Sequence, residues 1–514
     1  GGTTGKLSGT LIDKETGEPL IGCNIIIEDT YLGTSSNEKG EYALLNIPPN
    51  TYSIRFEMIG YKKLVNEGVT IISDKTTSLN GELVSSVIAG EEVVVVAEKK
   101  LIQFDVTQSE AIISSEELEG MPVTEVSEVL RLQGGVTVDS DGGIHMRGGR
   151  TSEVSYMVDG VPMSDLYDGG IGVQIENDNI QELQVISGTF NAEYGRALTG
   201  VVNMVTKDGG NQFEGSLHTY AGDYQSSDKI YNNLNNLDLE DDYSVSASLS
   251  GPILKDKVTF YSSGRVNQSK GWLNGLQTFT IYGDTIFKDQ NNNRYLDGNE
   301  EQKDPYYKGL NWHSSWSTQN KVTFNLLKGT TFKINTILNS RESQDYNFAL
   351  QLLEDAQITN FNRGRFLGLS ISHTLSPTSF LQVNVSENKY NYESYLFEDP
   401  LDNRYITPDS LFLARLENRI PDHIIEQYGD QVQYFPAYSL YRAGVDNRRF
   451  ERETKTNNYK LDFTSQINKY NQVKLGLDFS SHSLMLDTYS ILDSTLTDQV
   501  YTPFIPDKES FTRS

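Results

Sequence analysis

The sequence predicts a mainly β protein. A small β-sandwich comes first, then a glycine-dense segment of mixed α/β character, then antiparallel strands of the transmembrane β-barrel kind. Three observations carry that prediction. Apolar residues make up only 37% of the 514, yet aromatics reach 10%; disordered chains are poor in aromatics, so this balance suits many half-buried strands. From about residue 211 onward, apolar and polar residues alternate with period 2 over long stretches. Short turns in that region alternate with long polar insertions, the loop asymmetry of an outer-membrane barrel.

Composition also excludes. With 43 basic and 70 acidic residues the formal charge is −27, against the basic surface that nucleic-acid binding needs. Cys23 is the one cysteine and the six histidines are scattered (His145, His218, His313, His373, His423 and His482), so neither a disulfide framework nor a His-cluster metal motif is present. No apolar run reaches the roughly 18 residues of a membrane-spanning helix. The chain opens on Gly1-Gly2 without Met and reads as a mature or trimmed form. Its length calls for more than one structural unit.

Residues 5–82 contain several short strands separated by turn chemistry: 6–13, a turn at Glu15-Thr-Gly-Glu-Pro19, 23–28, a turn at Asn37-Glu-Lys-Gly40, 41–45, Pro48-Pro-Asn50, and the alternating 52–58. Gly9-Thr10, Thr16-Gly17-Glu18-Pro19-Leu20, Gly33-Thr34, Gly40-Glu-Tyr42, Ile47-Pro48, Tyr52 and Gly60-Tyr61 resemble the carboxypeptidase regulatory-like domain, which implies a transthyretin-like, non-catalytic sandwich. Cys23 departs from the small residue usual there.

Residues 91–100 form a β-branched run fenced by charges. It is either one more strand of the sandwich or a strand that adds to a partner's sheet edge. In 101–210, Ser114-Ser-Glu-Glu-Leu118 and Pro122–Leu130 carry the hydroxyls and early acids of helix starts. Glycine then becomes dense, marking tight turns and close backbone approach.

Beyond 211 about nine strands are expected, near 213–222, 242–251, 257–267, 317–328, 330–340, 365–375, 379–393, 456–467 and 472–485. The clearest alternation sets Tyr459, Leu461, Phe463 and Ile467 against Lys460, Asp462, Thr464 and Gln466. Phe511-Thr-Arg-Ser514 shows no closing strand. Large outer-membrane barrels reach about 22 strands, and open edges are not tolerated in lipid, so the chain is expected to be the N-terminal portion of a longer barrel protein.

The most specific signal lies in 143–210. His145-Met-Arg-Gly-Gly-Arg150, Tyr156-Met-Val-Asp-Gly-Val-Pro162, Ile180–Ile186, Gly188-Thr-Phe-Asn-Ala-Glu-Tyr-Gly195, Gly200–Lys207 and Gly209-Gly210 follow in an order and spacing that resemble the plug domain of TonB-dependent outer-membrane receptors. The resemblance places a TonB box at Glu92, Val93, Val94, Val95, Val96 and Ala97. It makes Arg147, Gly148, Gly149, Arg150, Asp159, Gly160, Glu193, Tyr194 and Gly195 the plug motif. Arg147 and Arg150 are forks suited to lumen-facing carboxylates of the barrel, whereas Asp159-Gly160 and Glu193-Tyr194-Gly195 are expected to fix turns. The resulting division is 1–85 sandwich, 86–100 linker with the box, 101–210 plug and 211–514 barrel.

Two loop features complete the reading. Asp289, Asn291, Asn293, the Tyr295 carbonyl, Asp297 and Glu300 have the spacing of a calcium loop, with Arg294 where glycine normally turns; a solvated polar loop is the alternative. Trp272, Trp312 and Trp316 flank it, as an interfacial aromatic girdle or as ligand-stacking rings.

No nucleophile–base pair, histidine cluster or organised acid pair points to an enzyme, and no cofactor beyond that structural calcium is expected. The resemblance implies active uptake of an oligosaccharide, peptide or metal chelate across a Gram-negative outer membrane, with the N-terminal domain periplasmic. Its implied partners are the TonB complex, outer-membrane lipid and a substrate-binding surface lipoprotein. A non-transporting surface receptor or adhesin on the same architecture is the alternative.

Overall fold

The computed structural model describes residues 3–86, 92–96, 109–121, 123, 125–139, 142–188, 194–195, 197–228, 231–234, 237–282, 306–405, 440–441, 443–467, 471–493, 503–504 and 509–513. Nine strands open the chain: β1 (Gly5–Asp13), β2 (Asn24–Ile27), β3 (Gly33–Ser35), β4 (Glu41–Ile47), β5 (Asn50–Glu57), β6 (Lys63–Ile71), β7 (Thr76–Ser78), β8 (Gly81–Leu83) and β9 (Glu92–Val96). One sheet runs β4-β1-β7 with β8 also on β1; the other runs β3-β2-β5-β6-β9. Alternate residues of both sheets enclose a core of Leu7, Leu11, Cys23, Ile25, Ile27, Ile54, Phe56 and Ile71, the sandwich that period-2 strands predict.

The plug follows: β10 (Ser109–Ser114), α1 (Ser115–Glu119), α2 (Val126–Arg131), β11 (Val136–Val138), β12 (Ile144–Met146), β13 (Val154–Val158), β14 (Val161–Pro162), β15 (Ile180–Ser187) and β16 (Gly200–Thr206). Ser114 caps α1 in a full capping box with Glu117, as its sequence predicts. The second helix starts later than Pro122 implies, with Glu125 at its N-cap. The plug sheet runs β10-β15-β16-β13-β14. β13 and β16 are parallel and nearly all apolar, as strands covered on both faces are.

The wall is a ten-stranded antiparallel sheet. It comprises β17 (Glu214–Gly222), β18 (Asp242–Leu254), β19 (Val258–Ser269), β22 (His313–Leu327), β23 (Thr330–Ser343), β24 (Thr359–Ser376), β25 (Ser379–Tyr395), β26 (Arg448–Gln466), β27 (Gln472–Ser490) and β30 (Glu509–Arg513), in that order. Two small pairs, β20 (Asn274–Gln277) with β21 (Tyr306–Gly309) and β28 (Leu492–Asp493) with β29 (Pro503–Phe504), decorate the long connections. All nine expected strands are present. The tenth, Glu509–Arg513, sets Phe511 against Leu486 and does not close the wall, which stays open between β17 and β30 among the described residues, as expected of that ending.

Register sorts the wall into two faces. Gln319, Lys321, Arg452, Asn458 and Lys460 point inward and are buried, while Leu475, Leu477 and Phe479 are 64%, 73% and 65% exposed on the outer face. This is the polar-lumen, apolar-exterior pattern of a transmembrane barrel. The plug sits against the inner face closely enough that Ile337 and Phe366 of the wall join the plug's own core. The N-terminal sandwich meets the short-turn end of the wall. Tyr31 Oη lies 2.7 Å from Thr331 Oγ1, and Lys474 Nζ lies 2.8 Å from Asp74 Oδ1.

Candidate functional site

The turns of the plug motif depend on backbone conformations that few residues reach. Asp159 (φ 48°) and Gly160 (φ 76°) form the two-residue connection of β13 to β14, the paired positive φ that favours Asp-Gly. Arg147 (φ 49°) and Gly148 (φ 77°) turn the chain after β12. A Cβ at Gly149 would lie 2.1 Å from Thr199 Cγ2, so the glycine permits close approach of the segment before β16. Tyr194 is buried with Met157, Ile186 and Val201, and its hydroxyl donates to Asp74 Oδ2 at 3.4 Å. Glu193 lies outside the described residues; Gly195 follows Tyr194 with open space where a Cβ would stand.

From sequence, Arg147 and Arg150 are expected to face carboxylates of the wall. Among the described residues neither pairs with a wall carboxylate. The Arg147 guanidinium instead lies over Gly188, with Nη1 2.7 Å from where a Cβ would stand, and is thus held inside the plug. The Arg150 backbone N–H donates to Glu153 Oε2 at 3.0 Å. Among the described residues the plug–wall ion pairs set acids on the plug side against bases on the wall.

Arg265 of β19 bridges two plug acids, Nη1 2.6 Å from Glu176 Oε2 and Nη2 2.8 Å from Asp178 Oδ2, each a charge-assisted hydrogen bond. Ser317 and Ser246 of neighbouring strands donate to the same carboxylates at 2.8 and 3.1 Å. Lys321 Nζ lies 3.2 Å from Asp159 Oδ2 and 3.3 Å from Asp208 Oδ1, and donates to the Thr206 carbonyl at 3.0 Å. Lys333 holds the other Asp208 oxygen at 2.5 Å. Burial alone would raise the Asp208 carboxyl, but the two lysines outweigh it and hold the group down at about 2. Arg341 reaches Glu125 at 3.4 Å. Arg452 reaches Asp165 at 3.0 Å and Asp168 at 3.4 Å, and lies 4.3 Å over the Tyr167 ring. Such buried pairs add little net stability but penalise any arrangement that separates them, so they act as a register device between plug and wall. The wall bases are visible in the sequence as lone cations on the polar side of alternating strands.

The candidate TonB box is placed as the edge strand of the N-terminal sheet. Glu92–Val96 pairs in parallel with Lys63–Glu67, the alternative reading of that run, and the sheet of the sandwich continues past residue 85. Its far edge pairs with no strand among the described residues, and Val93, Val94 and Val95 are exposed. Ala97 lies outside the described residues.

At the long-loop end a cleft of about 640 Å³ separates plug from wall, lined by His218, Tyr220, Asn267, Asn339, Tyr390 and Tyr392 among others. The three tryptophans do not converge on it as one stack. Trp272 meets Tyr231 edge to face at 5.8 Å, and Trp312 Nε1 donates to Gln344 Oε1 at 3.1 Å. Trp316 borders the cleft but takes the outward register beside Val266, where an interfacial aromatic belongs. The calcium-spaced residues Asp289, Asn291, Asn293, Tyr295, Asp297 and Glu300 lie outside the described residues.

An open antiparallel wall with a polar inner face, filled by an α/β domain held through acid–base pairs, defines a plugged β-barrel of the outer-membrane type. Comparisons with known proteins agree. Residues 7–95 match the CarboxypepD_reg-like domain, and residues 103–202 match the TonB-dependent Receptor Plug Domain. The TonB-dependent transporter Oar of Myxococcus xanthus is 25% identical over 279 residues, covering 49% of this chain and 26% of that protein. A probable TonB-dependent siderophore receptor, PirA of Acinetobacter baumannii, is 26% identical over 202 residues, covering 35% of this chain and 25% of that protein. The chain therefore spans about a quarter of the length of these relatives. Among solved structures, the outer membrane transporter YddB of Escherichia coli superposes with a TM-score of 0.50 at 12% identity, over 79% of this chain and 52% of that one. The sequence relatives are TonB-dependent receptors and transporters, not enzymes.

Proposed function

We propose that the chain forms part of a TonB-dependent outer-membrane receptor that takes up a nutrient (an oligosaccharide, peptide or metal chelate) through a plugged barrel. The observation that carries this reading is the polarity of the plug–wall contact. Asp159, Asp165, Glu176, Asp178 and Asp208 are each held by a wall arginine or lysine, a seal that is specific in register yet made of polar groups that water can replace. In this reading the N-terminal sandwich faces the periplasm. The inner-membrane energy-transducing partner adds a strand to the open edge of Glu92–Val96, and tension passes along the chain to β10, the edge strand of the plug sheet.

The ligand enters from the long-loop end, where a surface lipoprotein would cap the barrel. Arg265 and Arg341 of the cleft wall are already paired with Glu176 and Glu125. The rest of the lining, amides, hydroxyls and tyrosine rings with His218, Trp316 and the Asp345 carboxylate, suits a hydrogen-bonding ligand better than an anionic chelate. The loop at 289–300 is proposed as a structural calcium site of the exterior, outside this transport path.

Deleting residues 92–96 from the native receptor is the test. Uptake is expected to stop while ligand binding at the cell surface persists. Uptake that survives the deletion would overturn the reading and favour a surface receptor or adhesin.

A further inference from the structure

Glu182, on β15, lies where the loop after β6 presses the N-terminal sandwich onto the plug. The residue is 4% exposed. Both carboxylate oxygens accept from the Ser73 backbone N–H, each at 3.3 Å. Gln184 Nε2 donates to Glu182 Oε1 at 2.7 Å and to the Ser73 carbonyl at 3.1 Å, and Asn203 Nδ2 donates to Gln184 Oε1 at 3.0 Å. A buried relay of amides thus ties the sandwich loop to two plug strands through one carboxylate.

The charges facing that carboxylate do not balance it. Lys75, on the same loop, is engaged at 2.5 Å by Glu110 of β10. Asp74 turns away to Lys474 at 2.8 Å and Tyr194 at 3.4 Å. Glu110 of β10 and Glu116 and Glu117 of α1 line a cleft with Gln181 and with Glu182 itself. Among the described residues no arginine or lysine forms an ion pair with Glu182. A carboxylate buried without a cation favours its neutral form.

We propose that docking of the N-terminal sandwich on the plug is a proton-linked switch, closed when Glu182 is protonated and loosened when it ionises. The inference stands apart from the uptake reading, since it concerns two domains of this chain and no ligand. Burial pushes the Glu182 carboxyl up to about 7, with the Ser73 and Gln184 hydrogen bonds opposing and Glu110 adding to the rise. When the loop lifts away, water restores the ordinary carboxyl value. The docked form therefore holds a proton that the undocked form has lost. Docking is tightest below the ordinary carboxyl range and weakens by up to about tenfold per pH unit as pH rises toward the docked value. The place is strategic. Glu182 pairs directly with Ser114, the last residue of β10, and the docked sandwich carries β9 on its sheet.

Spin labels on the full chain in detergent test this, with Cys23→Ser to remove the native thiol. Labels go on Ile59→Cys of the sandwich and Leu198→Cys of the plug, whose parent side chains are 99% and 73% exposed. Pulsed dipolar distances are read at about pH 5.5 and about pH 8.5, on either side of the transition. The wild-type background should give one docked distance at the lower pH and an added longer population at the higher. Glu182→Gln should stay docked at both, and Lys75→Met, which leaves Glu110 uncompensated, should bring the longer population in at lower pH. Ser73→Pro, which removes the N–H donor, should show the longer population at both values and keeps the test alive should Glu182→Gln fail to fold. An unchanged wild-type distribution across pH, a Glu182→Gln variant with the wild-type response, or a Ser73→Pro variant that stays docked would each overturn the switch.

Discussion

Lys321, buried in a wall strand, lies 3.2 Å from Asp159 at the tip of the β13–β14 hairpin of the plug. The same carboxylate accepts from the Thr206 backbone N–H at 2.9 Å, from the Thr206 hydroxyl at 2.7 Å and from Asn335 Nδ2 at 2.8 Å. A residue expected from sequence to fix a turn therefore also joins plug to wall.

Removing one member of that pair should cost more than removing both. Lys321→Met takes the shared ammonium from both Asp159 and Asp208 and is expected to destabilise the plug by roughly 1–3 kcal/mol, whereas Lys321→Met with Asp159→Asn, which leaves Asp208 to Lys333 alone, should recover part of the loss. Hydrogen exchange at residues 154–162 and 200–206 reads the difference directly.

Gly149→Ala should loosen the plug without touching a charge. The added methyl would stand 2.1 Å from Thr199 Cγ2 and 2.8 Å from Glu153 Oε2. Overpacking of that kind costs about 1–3 kcal/mol. Thr199→Ser in the same chain removes the clashing methyl and should restore part of the stability, as denaturant titration would show.

The acid limb of stability should report Asp208. Its folded value is depressed below the ordinary carboxylate range to about 2. Its contribution is therefore present above the unfolded value near 4 and is lost as pH falls through that window. The stability gap between wild type and Asp208→Asn, roughly 2 kcal/mol near neutrality, should shrink toward zero as pH falls to about 2.

Cys23 should resist alkylation while the sandwich is folded. It is buried in the core, and burial pushes its thiol up to about 11, so little thiolate forms near neutral pH. Mass spectrometry after iodoacetamide treatment should find Cys23 unmodified in native protein and modified after unfolding.

Much of this architecture is legible in the residues because period-2 alternation is a local property. Tyr459 and Leu461 against Lys460 already separate the outer face from the lumen. The Ser114–Glu117 capping box likewise depends on residues three apart. β6 was harder to read. Its alternation breaks at Gly68 (φ 76°), and the β5–β6 register shifts between Tyr52 and Ile54, as a bulge does. The plug acids that meet wall bases are not legible in the sequence, because such pairs depend on which distant strand faces which turn. Arg147 has the chemistry to pair across the lumen, but its left-handed backbone turns it onto Gly188. The second role of Glu182 lies beyond the sequence altogether, since its neighbour Ser73 is 109 residues away.

In the proposed uptake reading, an inner-membrane partner takes hold at the edge strand Glu92–Val96. Affinity of the purified receptor for the periplasmic domain of TonB, measured for wild type, Val94→Pro and Val94→Ile, tests it most directly. Strand addition runs through backbone groups, so proline, which removes an N–H and restricts the chain, should abolish binding, and isoleucine should preserve it. Equal binding by Val94→Pro and wild type would contradict the account.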